Sequence, residues 1–362
     1  MKACITQSVG ASRRRSSSGI RSGSSAKSGT RVGGSGGTAV QARGTLEITW
    51  PRCAGVDEFA TARLAIGSGF LLVAAIADLR TRRVRDTVWI ALGSFGILLL
   101  AVQLILRQTD VAAWAILVSA AILFYAIFFG APLFGEAGFR MRPARLSLFL
   151  LALGLLVYPA AAVSSTGSKW PSGVLELYAM PVMVVVYQAF YRFRVLHGGA
   201  DTKALIALGL LVPTYPDAAP FPLFAVDPTF GAVLRTVFPF SLVVWVNAAL
   251  LSLAVPVGLL IANALRRDLA FPQALLGYRA RIDPFPAHAW LMEKIGDDGE
   301  HVLVLYPKRG SPPKEDLARL RAAGVDRAWV TPQTPFMVPL LVGFILAFFV
   351  GNLLIGILGL GR

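Results

Sequence analysis

From residue 57 onward, long apolar runs alternate with short, mostly basic segments. A helix needs about 17–25 predominantly apolar residues to cross a bilayer. Five runs meet that pattern directly: Phe59–Ala77, Thr87–Leu106, Val111–Phe129, Leu146–Val163 and Val174–Phe190. A sixth starts at Thr202 but is apolar only to Val212, ahead of Pro213, so a short, broken or tilted helix is expected. Phe238–Leu265 and Phe336–Leu360 are the seventh and eighth. The expected fold is a membrane all-α, polytopic bundle of about eight transmembrane helices.

The interval between the last two runs has ordinary soluble composition. His301–Tyr306 reads as a strand, Lys314–Ala323 as a helix closed by Gly324, and Asp326–Thr331 as a second strand. That order fits a small cytoplasmic βαβ unit, an α/β insertion in the bundle. No Gly-rich loop follows its first strand, which argues against a nucleotide site. Four regions result: a Gly/Ser/Arg-rich tail over 1–56, expected to be disordered; a membrane core over 57–266; the soluble α/β region over 267–335; and a final transmembrane helix over 336–362.

Charge fixes an orientation. The net charge of +15 in a chain that is 55% hydrophobic and 15% charged would suggest nucleic acid in a soluble protein. Here much of it lies in the tail and in short loops beside apolar runs, as the positive-inside rule predicts, so no nucleic-acid partner is expected. Arg80, Arg82, Arg83 and Arg85 mark the first loop as cytoplasmic; Arg140, Arg142 and Arg145 mark the third, and Arg192 to Lys203 the fifth. Eight crossings leave both termini outside, and with them the basic tail, against the charge rule. A tail lying upstream of the true start would remove that conflict. Cys4 and Cys53 both sit in the tail and make neither a disulfide framework nor a metal-type spacing.

Two carboxylates fall at the cytoplasmic ends of spans, where charge beside hydrocarbon is costly and marks function. Asp78 ends the first span and Asp201 opens the sixth, after Gly198 and Gly199. One ionised carboxylate can take a proton from water while its protonated partner donates to the scissile amide, with no metal, cofactor or covalent nucleophile. The three histidines have no zinc-ligand spacing, and no Gly-x-Ser-x-Gly elbow is present. The start of its helix and Lys203 both favour the Asp201 anion, whereas a helix C-terminus disfavours one at Asp78. Asp201 is therefore read as the resting base and Asp78 as the resting acid. Gly198 and Gly199 are expected to lend the turn backbone freedom. Asp86 is an alternative first carboxylate, though its place suits an N-cap of the second span. His197 reads as a solvated loop residue; Gln188 and Asn247 read as helix-packing residues.

Gly198-Gly199-Ala200-Asp201-Thr202-Lys203 resembles the Gly-x-hydrophobic-Asp motif of the type IV prepilin peptidases (A24-type), and of their archaeal preflagellin/prepilin branch most of all. Asp78-Leu79-Arg80-Thr81-Arg82-Arg83-Val84 resembles that family's first-aspartate motif, with Arg85-Asp86 where the family has Pro-Asn. Trp329 to Pro332 and Pro335-Phe336 resemble the extra region of archaeal members. The resemblance covers roughly 59–360. It implies a multi-pass cell-membrane aspartic endopeptidase, with Asp78 and Asp201 catalytic, that removes a short basic leader from archaellin- or pilin-like precursors at the cytoplasmic face. The bacterial four-cysteine motif and methyltransferase domain are absent, so peptidase activity alone is expected. A presenilin-like intramembrane protease is one alternative, and a proton- or cation-coupled transporter is another.

Overall fold

A computed structural model describes residues 58–129, 134–135, 138–139, 142–167, 170, 173–196, 198–216, 221–223, 238–296, 299–305, 307 and 314–359. The tail over 1–56 and His197 lie outside these residues. The first four helices are α1 (Glu58–Thr81), α2 (Asp86–Leu106), α3 (Val111–Phe128) and α4 (Pro143–Thr166). A short α5 (Val174–Leu177) runs into α6 (Ala179–Arg192), and α7 covers Gly199–Leu211. Next come α8 (Phe240–Ser252) and α9 (Ala254–Leu265), which together make one long apolar stretch. Six helical stretches among the described residues are long and apolar enough to cross a membrane.

Among the described residues the expected count of eight is not confirmed, for two local reasons. The sixth span, α7, has thirteen residues, about 20 Å of helix against a hydrocarbon core of about 30 Å. It stops before Pro213, and Val212 adopts φ −122°, ψ 78°, as a residue ahead of proline should. The eighth is broken into α12 (Met337–Phe349) and α13 (Leu353–Ile357), with Gly351 at φ 94° between them. The next residue, Asn352, restarts the helix by accepting from the N–H groups of Leu354 and Ile355. Fully buried Asn247 spans the break, donating to the Gly351 carbonyl (2.9 Å) and accepting from the Leu353 N–H (3.0 Å). Backbone freed inside an apolar bundle needs such partners.

Helix α7 is the centre of the bundle. Nine of its thirteen residues are buried, including all of Ala204 to Leu211. Such burial on every side needs close neighbours. A Cβ at Gly96 of α2 would lie 2.6 Å from the backbone of Leu211, and one at Gly67 of α1 would lie 3.0 Å from the Leu211 side chain. Gly343 of α12 likewise meets the backbone of α8 at Ala248, 2.8 Å away. Small residues at crossings are how apolar helices pack without a hydrophobic drive between them. Arg63 of α1 is 2% exposed and donates to Gln103 of α2 at 2.6 Å, a buried polar contact at the opposite end of these helices from Asp78.

The stretch between α9 and α12 holds α10 (Gln273–Leu276), β3 (Tyr278–Arg281), β4 (Ala289–Leu291), β5 (Glu293–Ile295), β6 (His301–Leu303), α11 (Lys314–Ala322) and β7 (Arg327–Pro332). A first pair, β1 (Phe134–Gly135) and β2 (Gly138–Phe139), lies earlier in the chain. The strand, helix and strand expected at 301–331 are present, and Gly324 (φ 74°) closes α11. Their pairing differs from the expected βαβ unit. β7 is the centre of a three-stranded antiparallel sheet between β3 and β4, while β6 pairs antiparallel with β5. Alternation along β7 gives the sheet two faces: Ala328 packs with Leu320 of α11, and Trp329 with Met292, Ala274 and Leu260 of α9. Buried Asn263, near the end of α9, donates to the carbonyls of Ala274 and Gly277 and ties this region to the bundle.

Candidate active site

Four helix ends meet where the aspartates lie. Asp78 is in the last turn of α1, and its Oδ2 accepts from the N–H of Met337, the first residue of α12, at 3.3 Å. A short basic loop leads from α1 to α2, whose first residue is Asp86. The Asp86 carboxylate takes a 2.6 Å ion pair from Lys203 in the first turn of α7. The C-terminal turn of α1 therefore shares one end of the bundle with the N-termini of α2, α7 and α12.

The glycine contacts set the depth of each carboxylate. From the contact of Gly67 with Leu211, Asp78 lies eleven residues along α1 and Asp201 ten residues back along α7. At about 1.5 Å per residue these are rises of roughly 16 Å and 15 Å, so the two carboxylates lie at a similar depth along their helices. The Gly96 contact puts Asp86 at a similar depth by the same reasoning. Asp78 and Asp201 are both half-buried.

Local geometry changes the part played by each supporting residue. Gly198 is extended (φ −101°, ψ 123°) and Gly199 is already helical, so neither needs glycine for backbone freedom. Gly198 is required for space instead: an added Cβ would lie 2.5 Å from Cγ of Asp201, whose carboxyl is folded back over this residue. Gly199 is roomier, with the Tyr191 hydroxyl 3.7 Å from an added Cβ. The Gly198 carbonyl accepts from both the N–H and the hydroxyl of Thr202, each at 3.2 Å, which fixes the turn under Asp201. Lys203 is turned toward Asp86 and lies 5.9 Å from the Phe128 ring centroid.

The α12 N-terminus adds a second influence to the distinction drawn between the two carboxylates from their own helices. Asp78 ends α1, but it also receives the first N–H of α12, so both carboxylates face a helix N-terminus that favours an anion. Met337 is a contributor that sequence reasoning missed. It lies 259 positions from Asp78, and a backbone N–H carries no side-chain signature. Among the described residues, no group of three or more His, Cys, Asp or Glu side chains is placed to hold a metal ion.

Comparison with known proteins bears on this end of the molecule. Residues 270–353 match the family model described as Archaeal Peptidase A24 C-terminus Type II. That stretch includes the three-stranded sheet and the α12 N-terminus that meets Asp78. A preflagellin peptidase of Methanocaldococcus jannaschii is 26% identical over 182 residues, covering 48% of this chain and 71% of that protein. The chain is thus similar to archaeal A24-type peptidases over these stretches. That similarity supports a protease, and the apolar helices are long enough to set it in a membrane.

Proposed function

We propose that this chain is a membrane aspartic endopeptidase that removes the short basic leader of archaellin- or pilin-like precursors at the cytoplasmic face. The observation that carries the reading is the similar depth of Asp78 and Asp201 at the basic end of the bundle. A precursor helix lying among the spans would bring its leader junction to that depth, where water is available.

Asp78 and Asp201 act as a pair sharing one proton. The ionised member removes a proton from water as it attacks the scissile carbonyl, and the protonated member donates toward the departing amine. A pair that shares one proton acts jointly, so neither residue alone is assigned the acid or the base role. Gly198 leaves room for the Asp201 carboxyl, and Met337 orients that of Asp78. Lys203 neutralises Asp86, leaving it a structural carboxylate.

The test is cleavage of a co-expressed preflagellin-type precursor in membranes by wild type, Asp78→Asn, Asp201→Asn and Asp86→Asn, at matched membrane levels. Loss of cleavage in the first two variants, with Asp86→Asn active, is expected. Cleavage persisting in Asp78→Asn or Asp201→Asn would overturn the two-carboxylate mechanism.

A further inference from the structure

A second concave feature lies away from the aspartates. A groove of about 820 Å³ runs between α2, α3 and the start of α4. One face of α3 lines it at helical spacing, through Trp114, Val118, Ala121, Tyr125 and Phe129. From Trp114 to Phe129 is fifteen residues, so the groove follows about 22 Å of helix. Its walls are apolar except at one end, where Arg142 and Arg145 stand at the N-terminus of α4. No carboxylate is among the described residues that line it.

The cationic end is held in place. Arg145 donates through Nη2 to the carbonyl of Ala126 at 2.7 Å, and its guanidinium lies 5.6 Å from the Phe149 ring centroid. Arg142 is exposed directly before the helix. Two guanidinium groups beside a helix N-terminus favour a phosphate-like anion, and Arg is suited to bind one in bidentate fashion. Directly below them the walls offer only hydrocarbon contact along the bilayer thickness.

We propose that this groove binds an anionic membrane phospholipid, with its phosphate between Arg142 and Arg145 and an acyl chain laid along α3 toward Trp114. Charge favours a lipid over a precursor helix, because a basic leader would meet the arginines as like charge. A bound lipid would bridge α2 and α4, which both flank α3.

The test uses the full chain, purified in detergent and reconstituted in nanodiscs of equal phosphatidylglycerol and phosphatidylcholine. Lipid retained on the protein is then measured by native mass spectrometry. Wild type is expected to retain phosphatidylglycerol over phosphatidylcholine by roughly tenfold or more, the effect of one to two basic residues near an anionic headgroup. Arg142→Gln with Arg145→Gln should bring the preference to near unity, whereas Arg142→Lys with Arg145→Lys should keep most of it. Ala121→Phe, which fills the groove and leaves the arginines, should lower retention of both lipids while the chain stays monodisperse. Equal retention of the two lipids by wild type would overturn the proposal, as would a preference unchanged by the double glutamine variant. Full retention in Ala121→Phe would reduce the site to a basic surface and also defeat it. Displacement of the lipid by inorganic phosphate alone, or by a precursor that occupies the groove in its place, would do the same.

Discussion

Gly198→Ala tests the site through one methyl group. The extended backbone at 198 accepts alanine without strain. The added Cβ would lie 2.5 Å from Cγ of Asp201, whereas ordinary contact begins at 3.4 Å, so the carboxyl must retreat by about 1 Å. It can do so by rotating about its own χ1, which leaves the helix backbone in place. A catalytic group misplaced by about 1 Å loses on the order of 100-fold in rate. That corresponds to ~2.7 kcal/mol of transition-state stabilisation. Gly199→Ala is the matched control, because its Cβ would meet nothing nearer than the Tyr191 hydroxyl at 3.7 Å. Alanine is also favoured over glycine inside a helix by about 0.5–1 kcal/mol.

The assay is the initial rate of precursor cleavage in membranes at matched protein level, with thermal stability measured alongside. Gly198→Ala should fall about 100-fold in rate with the fold intact, while Gly199→Ala stays within about threefold of wild type. Near-normal cleavage by Gly198→Ala would show that the position of the Asp201 carboxyl does not limit the reaction. An equal loss in Gly199→Ala would refute the reasoning differently, by showing that the glycines serve close approach of substrate.

Three further outcomes follow from the packing. The Lys203–Asp86 pair is partly exposed on both sides, 34% and 58%, so a double-mutant cycle on stability with Lys203→Met and Asp86→Asn should give a coupling below about 1 kcal/mol. Asn247→Leu strands the Gly351 carbonyl and the Leu353 N–H in an apolar interior; thermal unfolding in detergent should show a loss of about 1–3 kcal/mol for each stranded group. Gly96→Ala drives a Cβ into the backbone of Leu211 at 2.6 Å and should destabilise by about 1–3 kcal/mol, whereas Gly69→Ala, with nothing within 4 Å, should be neutral or better.

What the sequence reveals about this bundle depends on how local each cause is. Length and apolarity suffice for α1 to α4, because a helix in lipid satisfies its own backbone and needs no partner to exist. The sixth and eighth spans are shortened by different means. Pro213 is visible in the sequence and already marks the first as short. The break before Leu353 instead depends on Asn247, more than a hundred residues away, whose amide satisfies the freed backbone. Between α9 and α12 the elements at 301–331 are legible from pattern and from Gly324. Their antiparallel pairing is not, since β-periodicity identifies a face but never a partner.

The carboxylate pair shows the same division at the scale of chemistry. Asp78 and Asp201 stand out because charge at the end of an apolar run is costly. Their similar depth is set elsewhere, by Gly67 and Gly96, which let α1 and α2 approach α7 at Leu211 and so fix how far each aspartate rises. The expected contrast between an acid at a helix C-terminus and a base at an N-terminus is likewise local, and the α12 N-terminus at Asp78 adds a second influence to it. Asp78 thus sits between the C-terminus of its own helix and the N-terminus of α12, whereas Asp201 faces an N-terminus only. Met337→Pro removes the N–H at Asp78 and moves Phe336 (φ −74°, ψ −21°) out of the helical region, which a following proline disfavours. Cleavage at matched membrane level should fall, because the Asp78 carboxyl loses the donor that orients it. An unchanged rate in a stably inserted variant would show that the Met337 contact does not position Asp78.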